Sequence, residues 1–475
     1  MQPNVDPQHP EHPPWLEPLA LDVEPPDILR LWPRTTPLVM LWSGVPRETA
    51  DRTTPAARWV YFANPSRRIT FGPEAGRDEV LAFFSDQAVA PRALRPDEPP
   101  FASGWVGWIS YELGDVLEPA ARGTAALSGP RSAPLMEWFR VEGVLAYDTH
   151  RKRWWRTYGD RWHLPDPTPN QDFCFRAGPA DDGLAAEYRE AVARTVEYIR
   201  AGDIYQANIT REVCRPFEGS ARGFFRALMR ESAPWFGAYF EADDPWVRRA
   251  IASASPELFL SFDPSTREIR TRPMKGTQRA GGESILRDSS KDAAELTMIV
   301  DLMRNDLGRI CSPGSVRVED HRAVERHGIE GNPSAIVQTT SVVRGTLAPD
   351  RTLADIIRAT FPAGSITGAP KIRAMQIIRE LEKRKRGVYC GAIGCIADGG
   401  LMQLSVAIRT VSMAGAASED SADGLVGAVS FGVGAGIIAE SDPDAEWRET
   451  ELKAGGIASA LGSSESAAAQ PEAGA

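Results

Sequence analysis

The chain has 475 residues, of which 42% are hydrophobic and 25% charged, so it can bury a large core, and its length alone suggests about three domains. The formal net charge of −10 argues against general nucleic-acid binding, since no dense basic stripe stands out. The five cysteines form no CxxC pair, and no apolar run approaches the roughly 18 residues of a membrane span. We therefore expect a soluble cytoplasmic protein without a disulfide framework, a zinc cluster or a membrane anchor.

The N-terminal part is predicted to be rich in strands. Residues 1–30 are crowded with proline and acid, which disfavours regular structure, and the first dozen are expected to be disordered. In 31–175, aromatic and β-branched runs, such as those at 59–62 and 105–111, alternate with Pro, Gly and Asp breaks. This pattern is typical of antiparallel strands and predicts a β-rich lobe with few helices.

Residues 180–460 show an α+β pattern and are predicted to form a second unit. A helix is predicted between Asp182, its candidate N-cap, and Gly202, and a strand follows at 204–211. Further helices are predicted near 291–304, 353–358 and 370–383, and late strands near 391–397, 402–412 and 427–431, with a polar loop at 414–424. The small-residue tail at 461–475 is expected to be disordered.

The segment 271–277, Thr-Arg-Pro-Met-Lys-Gly-Thr, places an amine where the backbone can approach a small ligand. Pro273 fixes φ, Gly276 allows close approach, and Thr277 adds a hydroxyl and an amide that can hold an anion. Lys275 is therefore a candidate nucleophile, although a lysine beside such a turn is more often simply solvated.

Two predicted helices carry acids that could bind a hard cation. Glu295 lies in the middle of the first, with Asp292 one turn before it on the same face. The second is capped by Asp442, and one of its faces contains Glu446, Glu449 and Lys453. Mg²⁺ is commonly held by one or two carboxylates together with waters and substrate oxygens. The common alternative is a pair of solvated helix faces.

Two glycine-rich turns are weaker signals. The stretch 430–438 could point backbone amides at an anion. The stretch 364–371 resembles a nucleotide-binding loop, but it has three residues between its glycines and no Ser or Thr after Lys371. Nucleotide binding is therefore not predicted.

Eight segments resemble, in the same order, those of the chorismate-utilising enzymes, and they are most similar to the aminodeoxychorismate synthase component I branch. The segments are 202–210 (GDIYQANIT), 255–257 (SPE), 272–277 (RPMKGT), 294–306 (AE followed by MIVDLMRND), 361–371 (FPAGSITGAPK), 389–391 (YCG), 407–410 (AIRT) and 434–436 (GAG). The resemblance implies an α+β fold of two large antiparallel β-sheets packed as a sandwich with helices outside. The active site would lie in the cleft between the lobes.

The resemblance also implies a set of binding residues. Glu295 and Glu446 would bind Mg²⁺, with Glu449 close by, and the metal would meet the ring carboxylate of chorismate. Arg409 would bind the enolpyruvyl carboxylate through its planar guanidinium group, which can donate to both oxygens. The other substrate-binding residues implied are Gly276, Thr277, Thr367, Tyr389, Gly434, Gly436 and Lys453.

The implied reaction is an amination. Lys275 would add at C2 of the ring while the C4 hydroxyl leaves with a proton from Glu257, and ammonia would then add at C4 and release the lysine. Relatives that use water carry a lysine base where this chain has Gln206, and anthranilate synthases carry alanine where it has Lys275. None of the five cysteines has the glycine elbow of a glutaminase, so a separate glutamine amidotransferase subunit is implied.

Two other functions remain open at this stage. Anthranilate synthase component I is the runner-up, and a relative that binds chorismate-like diacids without catalysis is the second class. Two positions depart from the family pattern. Gln338 replaces a histidine found in many relatives, which leaves only hydrogen bonding there, and Gln403 replaces an acid.

Overall fold

The computed structural model describes residues 15–42, 58–87, 98–129, 133–159, 162–166, 173–180, 185–232, 234–244, 247–327, 335–418 and 424–462. Within these ranges, no helix is long and apolar enough to cross a membrane. The candidate N-cap Asp182 and residues 463–475 of the predicted tail lie outside the described residues, whereas residues 461–462 are helical and not disordered.

The strands are β1 Leu16–Leu19, β2 Val39–Trp42, β3 Trp59–Ala63, β4 Arg67–Phe71, β5 Gly104–Ile109, β6 Met136–Val141, β7 Leu145–Asp148, β8 Arg153–Thr157, β9 Phe175–Ala177, β10 Gln206–Ser220, β11 Phe236–Glu241, β12 Arg248–Ser255, β13 Leu258–Asp263, β14 Glu268–Arg272, β15 Met274–Arg279, β16 Arg317–His327, β17 Ile336–Thr346, β18 Gly368–Ala369, β19 Ala392–Ala397, β20 Met402–Val406, β21 Thr410–Ala417 and β22 Gly424–Ile437. The helices are α1 Pro25–Leu31, α2 Arg77–Ser85, α3 Leu113–Leu117, α4 Ala185–Arg200, α5 Ala221–Ser232, α6 Glu283–Asp288, α7 Ser290–Gly308, α8 Leu353–Thr360, α9 Lys371–Glu382 and α10 Pro443–Gly462.

These strands form two large antiparallel sheets. The twelve-stranded sheet has the order β1-β8-β7-β3-β2-β11-β12-β21-β22-β10-β18, with β9 beside β10. The ten-stranded sheet has the order β15-β17-β14-β13-β20-β19-β5-β6-β4, with β16 beside β17. Each sheet contains strands from both sides of residue 175, because antiparallel pairing joins segments that are distant in sequence.

Side-chain alternation explains how the sheets pack. In β3, Trp59 and Tyr61 belong to a core that includes Trp108 of the other sheet, whereas Val60 and Phe62 belong to the core under the outer helices. Successive residues of a strand face opposite sides, so a strand covered on both sides is apolar throughout. This arrangement confirms the predicted α+β sandwich with helices outside.

The prediction for residues 1–30 was wrong in its second half. Leu16–Leu19 pairs with β8, and Pro25–Leu31 is helical. The helix tolerates Pro25 and Pro26 because the N–H groups of a first helical turn have no hydrogen-bond partner within the helix. Residues 1–14 lie outside the described part. Of the loop predicted at 414–424, the first four residues belong to β21, which continues to Ala417, and 419–423 lie outside the described residues.

The candidate site lies between five elements, the strands β10, β15 and β22 and the helices α7 and α10. The long pairing of β10 with β22 sets Asn208 opposite Gly436, and β15 lies at the edge of the other sheet. Helix α7 packs against β15 and β17, and α10 packs against β22. One cavity is thus lined by residues of both sheets and both acidic helices.

Candidate active site

Lys275 is positioned by an irregularity at the edge of its sheet. The register of β15 against β17 shifts between Lys275 and Gln278, and Gly276 has φ of 67°. A Cβ at Gly276 would also lie 2.9 Å from Asp292 Cγ. Glycine is therefore required at position 276 for two reasons. Its backbone is left-handed, and helix α7 leaves no room for a side chain.

The Lys275 amine lies inside the cavity, next to the carboxylate of Glu295. Its Nζ is 2.8 Å from Glu295 Oε1 and donates to the carbonyl oxygen of Ser365 at 3.3 Å. Gln206 Nε2 donates to the same Glu295 oxygen at 2.6 Å. The single oxygen Glu295 Oε1 thus contacts both Lys275 and Gln206, the two residues on which the predicted reaction was based.

Gly436 leaves room for this arrangement. A Cβ at this position would overlap Glu295 Oε1 and Gln206 Nε2 and would lie 3.1 Å from Lys275 Nζ. The backbone of β22 therefore approaches the three polar groups closely.

Glu257 supplies a proton donor in the same cavity. Its side chain is 4% exposed, and burial raises its pKa to about 7, against the opposing effects of a Ser365 hydrogen bond and the Lys275 charge. Near neutral pH about half of the Glu257 carboxyl is protonated, which is the range where a general acid works best.

The acids predicted as metal ligands are each paired with a lysine. Glu446 Oε1 accepts from Lys291 Nζ at 3.0 Å, and Glu449 lies 2.7 Å from Lys453 Nζ. Burial, followed by the nearby charge of Glu449, raises the pKa of Glu446. Glu446 Oε2 is buried without a hydrogen bond within the described residues. The predicted cap is confirmed, since Ala445 N donates to Asp442 Oδ1 at 2.9 Å.

Arg409 and Tyr389 line another part of the cavity. Arg409 Nη2 is 3.5 Å from Gln338 Oε1, and Gln338 Nε2 donates to Thr277 Oγ1 at 3.2 Å. Burial lowers the pKa of Arg409 to about 10, so it remains a cation at neutral pH. A Cβ at Gly432 would overlap the Tyr389 ring. Gln338 therefore takes part by hydrogen bonding, as the sequence led us to expect.

Most of the predicted residues come together around one cavity of about 100 Å³. Those lining it are Glu257, Lys275, Gly276, Thr277, Glu295, Tyr389, Arg409, Gly434, Gly436, Glu449 and Lys453. Glu446 does not line the cavity, but it accepts a hydrogen bond from Lys291, which does. Thr367 is also outside, because its fully buried hydroxyl donates to the Ala363 carbonyl at 3.0 Å. The predicted contact of Thr367 with substrate is therefore not supported by its position, since the backbone of its own turn takes its hydroxyl.

Sequence reasoning missed several lining residues, among them Asn208, Ser365 and Lys291. Asn208 and Ser365 belong to recognised segments, but no local pattern shows which of their side chains point inward. Lys371 Nζ donates to Asp306 at 2.6 Å and to the Thr360 carbonyl at 3.0 Å, which is a structural role. A larger cavity of about 440 Å³, beside Arg68 and Arg249, contains none of the predicted residues.

Comparison with known proteins agrees with this site. Residues 46–459 match the family described as chorismate binding enzyme. The chain therefore belongs to the chorismate-binding enzyme family, whose members act on chorismate.

Two similar relatives carry different names. Anthranilate synthase component 1 of Streptomyces coelicolor is 35% identical over 454 residues, covering 87% of this chain and 82% of its own. Aminodeoxychorismate synthase component 1 of Klebsiella aerogenes is 34% identical over 369 residues, covering 74% of this chain and 75% of its own. The crystal structure of anthranilate synthase component I from Streptococcus pneumoniae TIGR4 superposes with a TM-score of 0.67 at 27% identity, covering 87% of this chain and 95% of that one. The family and fold are thus established, and the two relatives' names are equally compatible with them.

Proposed function

We propose that this enzyme is an aminodeoxychorismate synthase component I, which converts chorismate and ammonia into 4-amino-4-deoxychorismate for p-aminobenzoate and folate biosynthesis. The observation that carries the proposal is the amine of Lys275, which stands inside the cavity 2.8 Å from Glu295. An enzyme that lets ammonia attack the ring directly has no use for a second amine at this point.

In the proposed reaction, the unprotonated Lys275 amine forms a bond to C2, the ring double bonds shift, and the C4–O bond breaks. Glu257 gives its proton to the departing hydroxyl, which leaves as water. Ammonia then forms a bond to C4 and passes one proton to the Glu257 carboxylate, the double bonds shift back, and the C2–N bond breaks to free the lysine. The net change replaces the C4 hydroxyl by an amine and releases one water. Glu295 orients the Lys275 amine through its carboxylate oxygen.

The substrate carboxylates would be held by groups that line the cavity. Arg409 is cationic and half-buried, which suits the enolpyruvyl carboxylate. The backbone at Gly434 and Gly436 would lie against the other carboxylate, with Lys453 close by.

A magnesium ion is part of this proposal. No group of three His, Cys, Asp or Glu side chains in the described ranges is arranged to hold a metal by itself. Mg²⁺ needs only one or two carboxylates when waters and substrate oxygens complete its shell. The buried Glu446 Oε2, which lacks a hydrogen bond among the described residues, fits such a ligand. Glu295 and Glu446 would hold the ion, with Glu449 nearby, and the ion would neutralise the charge of the ring carboxylate.

The ammonia would come from a separate glutamine amidotransferase subunit in the cytoplasm. None of the five cysteines stands in the glycine elbow of a glutaminase nucleophile. Cys311, Cys390 and Cys395 are buried, and burial raises the pKa of Cys390 to about 11, which disfavours its thiolate.

The test is incubation with chorismate, Mg²⁺ and an ammonium salt, followed by mass spectrometry of the product. We expect 4-amino-4-deoxychorismate and no pyruvate. Anthranilate together with an equal amount of pyruvate would refute the proposal. That outcome would identify the runner-up, anthranilate synthase component I, which the relative from Streptomyces coelicolor favours.

A further inference from the structure

A second, smaller cavity adjoins the candidate active site. Its volume is about 30 Å³, and it shares Thr277, Arg409, Lys453 and Ile457 with the larger cavity. Since roughly 10–15 Å³ in this measure holds one water molecule, it has room for two or three molecules of that size and none for chorismate. Below, it is called the side cavity.

His327 lines the side cavity without a hydrogen-bond partner. The residue is 2% exposed, and neither ring nitrogen has a partner within the described ranges. Its Nε2 lies 4.0 Å from Glu325 Oε2, too far for a hydrogen bond. A buried polar group left unpaired costs about 1–3 kcal/mol, so such a group calls for a small polar molecule beside it.

The surroundings favour a neutral imidazole. Burial lowers the pKa of His327 well below its usual value, and the charges of Arg409 and Arg272 add to the effect. The other charged groups facing the side cavity or the ring are Glu325, Lys453 and Glu231. A neutral imidazole has one donor and one acceptor nitrogen, which match the lone pair and an N–H of ammonia.

The side cavity also has an outer wall. Glu231 and Ser232 at the end of α5 and Gly456 on α10 line it, and all three are half-buried. A small molecule admitted at this wall would share the side cavity with His327, and Thr277 and Arg409 line both cavities.

We propose that the side cavity is the binding site of the small nitrogen nucleophile, and that His327 is a positioning residue that hydrogen-bonds ammonia before it enters the larger cavity. This inference rests on the proposed function only in requiring ammonia as co-substrate. It does not depend on which ring carbon is aminated.

The test measures the KM for ammonium and the KM for chorismate separately, at fixed pH and saturating Mg²⁺, in the full-length protein. His327→Phe keeps a ring against Trp235, whose centroid lies 5.4 Å from that of His327, but removes both nitrogens. We expect its KM for ammonium to rise about tenfold, the worth of one hydrogen bond. The kcat and the KM for chorismate should stay unchanged, and His327→Gln should restore part of the ammonium affinity. The matched control is His321→Phe on the same strand, because His321 contacts Ser341 and lies outside the side cavity.

A second pair of variants tests the outer wall and does not depend on the folding of the first. Gly456→Val would extend towards the side cavity, since a Cβ there already lies 3.6 Å from Ser232 Oγ. Gly455→Val places the same side chain one residue away in open space. We expect only the Gly456 variant to raise the KM for ammonium.

An unchanged KM for ammonium in both His327→Phe and Gly456→Val would overturn the inference and leave the side cavity as a site for water. An equal rise in the KM for chorismate would also overturn the inference, because His327 would then act by supporting Arg409. Product mass is recorded in every assay, so an error in the proposed function appears in the product and an error in this inference appears in the ammonium kinetics.

Discussion

Glu257→Gln should remove the proposed general acid and at the same time stabilise the protein at alkaline pH. The Glu257 carboxyl is 4% exposed, and its pKa is raised from 4.5 to about 7, chiefly by burial. The unfolded chain ionises this group near 4.5, whereas the folded protein resists ionisation until about pH 7. Above that pH the folded state carries a buried charge that glutamine would not have.

The size of the effect follows from the two pKa values. A tenfold change in proton affinity corresponds to about 1.4 kcal/mol, so ionised Glu257 costs the fold about 3 kcal/mol at pH 8. At pH 5 the folded carboxyl is protonated, and the cost is about 1 kcal/mol or less. The stability lost by the native protein therefore grows as pH rises from about 4.5 to about 7 and is constant above that.

The assay is urea unfolding of the native protein and of Glu257→Gln at pH 5 and at pH 8, followed by circular dichroism. We expect the variant to unfold at a higher urea concentration at pH 8 and at nearly the same concentration at pH 5. In parallel, the turnover of the variant should fall by about 10²–10⁴-fold, the usual contribution of a general acid. The turnover of the native protein should decline above pH 7 as the acid ionises. A variant that is equally stable or less stable at pH 8 would show that the Glu257 carboxyl is not held protonated by burial.

Three further variants test the rest of the site. Lys275→Ala should abolish formation of 4-amino-4-deoxychorismate. Peptide mass analysis after incubation with chorismate without ammonia should find an adduct on Lys275 of the native protein only, and a fully active variant making this product would contradict the nucleophile role. Gly436→Ala should reduce kcat about 100-fold, because a Cβ overlapping Glu295 Oε1 displaces the carboxylate that orients Lys275, and a normal rate would show that the Lys275–Glu295 contact is not required. Glu446→Gln should lose magnesium-dependent turnover with an unchanged melting temperature, and near-native activity at low Mg²⁺ would place the metal elsewhere.

In the proposed reaction, the product depends on which nitrogen reaches the ring first. The family relationship does not decide this, since relatives with both names have about the same identity to the chain. The side-chain environment of Lys275 bears on it directly. Its side chain is 10% exposed and lies on the cavity wall beside Glu295, so in the proposed reaction the Lys275 amine would compete with ammonia for the ring from a fixed position.

The sequence by itself determined the class of protein and most of the candidate site. Short contiguous segments such as 271–277 carry backbone and side-chain chemistry together, so Lys275, Gly276 and Thr277 could be identified without coordinates. The helix Lys371–Glu382 was also predictable, because 3.6-residue periodicity and a flanking proline are local properties. The two-sheet architecture itself came from the resemblance, since strand patterns do not reveal which strands pair.

Only the tertiary structure decided which side chains meet. Gln206 and Lys275 share one oxygen of Glu295 because three elements converge there, and no local pattern specifies that convergence. Thr367 belongs to a recognised segment, yet its hydroxyl is taken by its own turn. The strand Leu16–Leu19 forms despite its proline, because β8 offers an edge to pair with. In each case the deciding energy comes from contacts between distant segments, and these depend on strand register and helix packing, which composition and periodicity do not encode.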